Sequence, residues 1–155
     1  MNNQDFKVSD VRIPRVLVND AECFGGVVDG PYLRGDLIVR SGKAATLLPC
    51  DTGAAPHLVL PRLTEAHVHL DKCHSVDRMP HVGGDLRAAI DAQWQDKSHW
   101  TEADLRTRAT RGLAELVAAG CKTVRSHVDW NAGQDARTAP RAWKVLQEMA
   151  EDHRD

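Results

Sequence analysis

Leu60-Pro61-Arg62-Leu63-Thr64-Glu65-Ala66-His67-Val68-His69-Leu70-Asp71-Lys72 is the stretch that decides how this chain reads. Ala66, Val68 and Leu70 alternate with His67 and His69, which is the period of an extended strand. Side chains at i and i+2 of a strand lie on one face. The two imidazoles are therefore aimed at one spot, and two convergent imidazoles are half of a metal site.

Downstream of that strand the pattern changes to helix. Leu86, Ala89, Ile90 and Gln93-Trp94 keep the 3–4 spacing of one apolar face, so Asp85 to Trp94 reads as a helix. Thr101-Glu102-Ala103-Asp104 is a helix start, because the Thr101 hydroxyl can accept a free backbone N–H. Leu105, Ala109, Leu113, Leu116 and Val117 form the stripe of that second helix, and Gly120 stands where a C-terminal cap glycine belongs. Cys121 to Asp129 follows as a strand. Strand, loop with helix, helix, strand is a βαβ order and predicts a parallel sheet. Asn131 to Pro140 reads as a loop, and Ala142, Trp143, Leu146, Met149 and Ala150 mark a further amphipathic helix.

Upstream, residues 1–60 read as β structure with turns. Val16-Leu17-Val18 is a candidate strand, and Gly25 to Pro31 mixes turn residues with an apolar pair. Gly35 to Lys43 reads as a strand closed by a Ser-Gly turn, with Ala45 to Pro49 as its hairpin partner. Asp51 to Pro56 is a polar connection, and Leu58-Val59-Leu60 leads into the histidine pair. The plausible boundary lies near residues 56–61, and this first part reads as a small antiparallel sheet with no chemistry of its own.

Composition narrows the class. With 155 residues, 42% apolar and 27% charged, the chain is one domain or a piece of one, of ordinary globular type. A formal net charge of −2 gives no electrostatic reason for nucleic acid or an anionic membrane as a partner. No run of about 18 apolar residues is present, and the polar Met1 to Lys7 segment lacks a secretory core. The 4 cysteines form no CxxC pair, so reduced thiols and a cytoplasmic location are expected. Cys121 reads as a small buried residue.

A catalytic zinc site usually takes three protein ligands and an open position for water. The third could come from His74, His81, His127, Asp129 or a cysteine. His127 and Asp129 stand two apart near the end of the second strand, on the side that His67 and His69 share, so both are candidate pocket residues. Asp71 can orient a metal-binding imidazole from behind its ring, or form a surface ion pair with Lys72. Cys73 beside Lys72 is open to a lowered pKa. The 4 tryptophans read as core or pocket wall. The metallo-β-lactamase pattern HxHxDH fails here, because Lys72 rather than histidine follows Asp71.

The landmarks resemble, in order, the metal-dependent amidohydrolase superfamily in its cytosine-deaminase-like branch. Gly35 to Pro49 resembles the family's N-terminal strand-turn-strand. Leu60-Pro61 through Lys72 resembles its first barrel strand with the HxH pair. Gly84-Asp85-Leu86-Arg87-Ala88-Ala89-Ile90 and Trp100 to Gly120 resemble its next helices. Val124-Arg125-Ser126-His127-Val128-Asp129 is similar to a Val-Arg-Thr-His-Val-Asp strand. The resemblance implies an α/β fold: the first two βα units of a partial TIM (β/α)8 barrel over residues 61–155, preceded by an N-terminal β-sandwich segment over residues 1–60. It implies a divalent metal ion, zinc or iron, held by His67 and His69, with His127 and Asp129 toward a small heterocyclic substrate. The reaction implied is hydrolysis of a non-peptide C–N bond, as in deamination of a pyrimidine-type ring. No nucleic-acid or membrane partner is expected, and an oligomer is left open.

The later ligands and the catalytic acid–base residues of that family have no counterpart here. A complete barrel takes about 250 residues, more than residues 61 to 155 supply. The expectation is an N-terminal portion of such an enzyme, inactive and marginally stable by itself. The competing expectation is a non-catalytic metal-binding or interaction remnant completed by a partner chain.

Overall fold

A computed structural model describes residues 5–50, 56–79, 84–130 and 140–153. The chain is mixed α/β and divides into two compact units, Met1–Pro61 and Arg62–Asp155.

The first unit is a five-stranded sheet built from β1 (Phe6–Pro14), β2 (Val27–Asp29), β3 (Tyr32–Arg40), β4 (Lys43–Leu48) and β5 (His57–Leu58). Strand β3 is its centre. It pairs antiparallel with β1 along one edge, and with β2 and β4 along the other. Leu33, Leu37 and Val39 alternate inward and pack with Val11, Ile13 and Leu47. The hairpin turn falls on Ser41 and Gly42, both at positive φ (50° and 75°), as a tight β-hairpin requires. Strand β5 adds to β1 in parallel, so the sheet is not purely antiparallel.

One reading of this unit is corrected. Val16-Leu17-Val18 is no strand: Arg15–Leu17 forms a 3-10 turn and Val16 is 89% exposed. The first strand is instead Phe6–Pro14, whose alternation is broken by a bulge between Val8 and Val11. Asp10 sits there with φ 47°. Its N–H donates to Asp36 at 2.9 Å, and its carboxylate takes a two-pronged bond from Arg34 at 2.8 and 3.0 Å. A bulge resets the two-residue period, so the apolar positions on either side do not read as one strand.

The second unit pairs β6 (Leu63–Val68) with β7 (Cys121–Ser126) in parallel, as the βαβ order predicts. Between them run α1 (Leu86–Asp96) and α2 (Glu102–Ala118), and α3 (Arg141–Asp152) follows. Both expected caps are made: Asp85 accepts from Ala88 N at 2.9 Å, and Thr101 from Asp104 N at 3.1 Å. Gly120 closes α2 at φ +93°, donating to Val117 O at 3.0 Å.

The core of this unit joins Leu70, Trp100, Leu105, Ala109, Ala142, Val145 and Met149. Helix α3 buries Ala142, Val145 and Met149, whereas Trp143 is exposed. The stripe expected on α1 is not buried either. Leu86, Ile90 and Trp94 are 76%, 40% and 50% exposed, and the helix buries Asp96 instead. Cys121 is half-buried. Of the tryptophans, Trp100 alone is core, while Trp94, Trp130 and Trp143 lie largely exposed. The loop expectation for Asn131 to Pro140 and the connection from Asp51 to Pro56 fall almost wholly outside the described residues.

Candidate metal centre

Strand β6 carries His67 as its penultimate residue, and His69 stands one residue past its end. Strand β7 ends at Ser126, so His127 and Asp129 lie just beyond its carboxyl end. Parallel pairing puts these two strand ends side by side. The junction is tied by His127 N donating to Val68 O at 2.7 Å and by Leu70 N donating to the Ser126 hydroxyl at 3.1 Å.

The result is a triangle of imidazoles. The His67 and His69 ring centres are 5.5 Å apart, His67 and His127 4.0 Å, and His69 and His127 5.8 Å. With metal–nitrogen bonds of about 2.1 Å, a tetrahedral ion holds two imidazole centres roughly 5.2 Å apart. The His67–His69 spacing fits that bridge. The 4.0 Å His67–His127 approach is too short for it, and His127 lies ring against ring with His67, tilted 33°. Burial, together with the charges of His67 and Arg125, lowers the His127 pKa, against a backbone hydrogen bond at Ala66 that raises it. Among the described residues no group of three or more His, Cys, Asp or Glu stands ready to hold an ion. The histidine pair therefore offers two donors of the usual three.

His69 shows how a cation fits this pair. Its Nδ1 is buried without a hydrogen-bond partner among the described residues, while its side chain is 30% exposed. That leaves Nε2 as the nitrogen available for an ion. Behind Nδ1 stand two carboxylates, Asp71 Oδ1 at 3.5 Å and Asp129 Oδ1 at 3.8 Å. A carboxylate behind a ligating histidine is the usual supporting arrangement of metal sites.

Asp129 is engaged in ion pairs. Lys72 Nζ lies 2.7 Å and Lys97 Nζ 3.6 Å from its Oδ2. Burial raises its pKa, but the Lys72 hydrogen bond and charge, with Lys97 and His69, outweigh burial and hold it below the usual carboxylate range. Lys97 in turn lies over the Trp94 ring, 4.9 Å from its centre.

Asp71 and Lys72 form no surface pair. Asp71 is fully buried, and Lys72 reaches Asp129 instead. Cys73 is not activated: burial pushes its thiol pKa up, and Sγ donates to Leu70 O at 3.0 Å. His74 faces Glu115 at 3.1 Å. His81 lies outside the described residues. Sequence reasoning missed Lys97 and Arg108, which reach this region from α1's end and from α2. Their only sequence signal is helical position, which does not say what a long side chain will touch.

No protein-family model matches the chain. A pterin deaminase from Rhizobium rhizogenes is 30% identical over 142 residues, covering 86% of this chain and 32% of that protein. A crystal structure of 5-methylcytosine deaminase from Klebsiella pneumoniae, liganded with phosphonocytosine, superposes with a TM-score of 0.52 at 22% identity, covering 95% of this chain and 33% of that one. The chain thus spans about a third of the length of the relatives it matches. An HxH strand end, a parallel partner strand carrying His127 and Asp129, and these two likenesses make the chain a relative of the amidohydrolase-superfamily deaminases.

Proposed function

We propose that this chain forms part of a metal-dependent hydrolase that deaminates a nitrogen heterocycle, with β6 and β7 as the first two strands of a (β/α)8 barrel. The observation that carries the proposal is the His67–His69 pair at the carboxyl end of a parallel strand, rings 5.5 Å apart. Barrel active sites lie at that edge. His67 and His69 would hold a zinc or iron ion. When bound, such an ion lowers the pKa of water and polarises the bond under attack. His127 and Asp129 line the substrate side of the pocket.

The named relatives act on pterin and on 5-methylcytosine. Both rings carry an exocyclic amine on a carbon next to ring nitrogen. In hydrolytic deamination the oxygen of water bonds to that carbon, the carbon–nitrogen bond breaks, and ammonia leaves with the displaced proton. We take the substrate of the whole enzyme to be an aminated pyrimidine or pterin ring. Among the described residues no third His, Cys, Asp or Glu joins the pair to hold an ion, so we expect no turnover from the 155-residue chain alone.

Metal analysis tests the reading. Purified chain loaded with zinc or iron and desalted should retain the ion, and His67→Ala or His69→Ala should each lose it. Equal retention by both variants would sink the ligand assignment. Metal-dependent ammonia release from cytosine or pterin by the chain alone would overturn the inactivity.

A further inference from the structure

Asp71 is fully buried, and its carboxylate serves two strand ends at once. Oδ2 accepts the backbone N–H of Asp129 at 3.2 Å. Oδ1 lies 3.5 Å from His69 Nδ1, and these two buried atoms face each other with no hydrogen-bond partner among the described residues. Buried polar atoms rarely go unpaired, because losing water without gaining a hydrogen bond is costly. A proton on Nδ1, directed at Oδ1, satisfies both.

We propose that Asp71 is a positioning residue that holds His69 in the tautomer protonated on Nδ1, keeping Nε2 unprotonated and turned to the ion. This deepens the proposed metal site and rests on His69 being a ligand. The tautomer of an imidazole is set by the bond its other nitrogen makes. Asp129 is the competing acceptor, at 3.8 Å from the same nitrogen. It is 30% exposed and its other oxygen is held by Lys72, whereas Asp71 is dry and has Oδ1 unengaged.

The backbone under Asp71 is fixed from a distance. Arg108 of α2 donates through one nitrogen, Nη1, to Asp71 O at 2.7 Å and to Cys73 O at 2.9 Å. Its other two nitrogens grip Asp104 at 3.0 and 2.9 Å. The loop that presents the Asp71 carboxylate is thus anchored to a helix rather than free to follow the histidine. A carboxylate held this way sets the ring, not the reverse.

The 155-residue chain, labelled with ¹⁵N-histidine and freed of metal, tests this by long-range proton–nitrogen correlation at a pH where imidazole is neutral. His69→Gln assigns the signal. Wild type should show His69 protonated on Nδ1, and Asp71→Ala and Asp71→Asn should move it toward protonation on Nε2. Zinc affinity, read by chelator competition, should fall about 10–100-fold in Asp71→Ala. Asp71→Asn keeps the side-chain shape and decides the matter if Asp71→Ala does not fold. An Nε2-protonated His69 in wild type, or an unchanged tautomer in every folded variant, overturns the proposal. Wild type with the Nδ1 tautomer but no zinc binding would support the positioning role and sink the ligand reading instead. Equal zinc affinity in wild type and both Asp71 variants, with affinity lost in His69→Gln, would keep the ligand reading and overturn the positioning role.

Discussion

Gly112, on the buried face of α2, shows how tightly the loop after β6 is seated. A Cβ built there would meet Cys73 Sγ at 2.9 Å and Leu70 Cδ2 at 3.2 Å. The sulfur cannot easily move, since it donates to Leu70 O at 3.0 Å and Arg108 O at 3.3 Å. Replacing a mid-helix glycine by alanine ordinarily stabilises by about 1 kcal/mol. Here overpacking costs about 1–3 kcal/mol, so Gly112→Ala should lower the melting temperature, and a rise in a thermal scan would rule this contact out. No sequence signal pointed to Gly112. The histidine pair was legible because a two-residue spacing in a strand fixes a shared face without knowledge of anything distant. The burial of Asp71 was not, because it depends on Arg108, a residue 37 positions away.

At the scale of elements, one arginine ties three of them together. Arg78, in the 3-10 turn Val76–Arg78, binds Asp96 at the end of α1 at 2.6 and 2.9 Å, and Asp104 in the first turn of α2 at 2.5 and 3.2 Å. Trp100 joins through its indole N–H, 2.7 Å from Asp96. The Arg78 hydrogen bonds bring the Asp104 pKa down to about 2, with Arg108 assisting and burial opposing. Asp96 is also lowered: burial raises it, and the Arg78 and Trp100 hydrogen bonds outweigh that. A carboxyl whose folded pKa lies below its unfolded value of about 3.9 stabilises the fold fully above that pH. The contribution is lost as pH falls through about 2. Denaturation midpoints should therefore fall between about pH 4 and pH 2, and the slope should flatten in Arg78→Met. A slope unchanged by that substitution would remove the network from the account. The caps of α1 and α2 were legible, since Asp85 and Thr101 act on residues three positions away. The buried Asp96 was not, because it is held by a partner 18 positions upstream. The first strand was hidden for a different reason: the Asp10 bulge interrupts its alternation, and only the long-range Arg34 and Asp36 contacts restore it.

Across the whole molecule, the two units carry separate buried clusters, one around Val11, Leu33 and Leu37 and one around Leu70, Leu105 and Ala109. The change of pattern near residue 60 was legible because a two-residue period gives way to a helical one, and each period reflects a different kind of packing. What the pattern could not show is how unequally the two clusters are supported. The first unit closes its core with five paired strands. The second rests on a two-stranded parallel sheet whose strands are mostly exposed, with Leu63 50% exposed. Parallel sheets are normally covered on both faces, and local stability follows buried apolar contact. The second unit should therefore unfold first in urea. All 4 tryptophans, at 94, 100, 130 and 143, lie in it, so indole fluorescence reports it alone. Fluorescence should change at lower urea than the loss of amide protection at Val11, Ile13, Leu33 and Leu37, followed by hydrogen exchange and mass spectrometry. A single transition, coincident by both probes, would mean that the two clusters melt as one cooperative body and that the exposed strands of β6 and β7 cost the chain nothing.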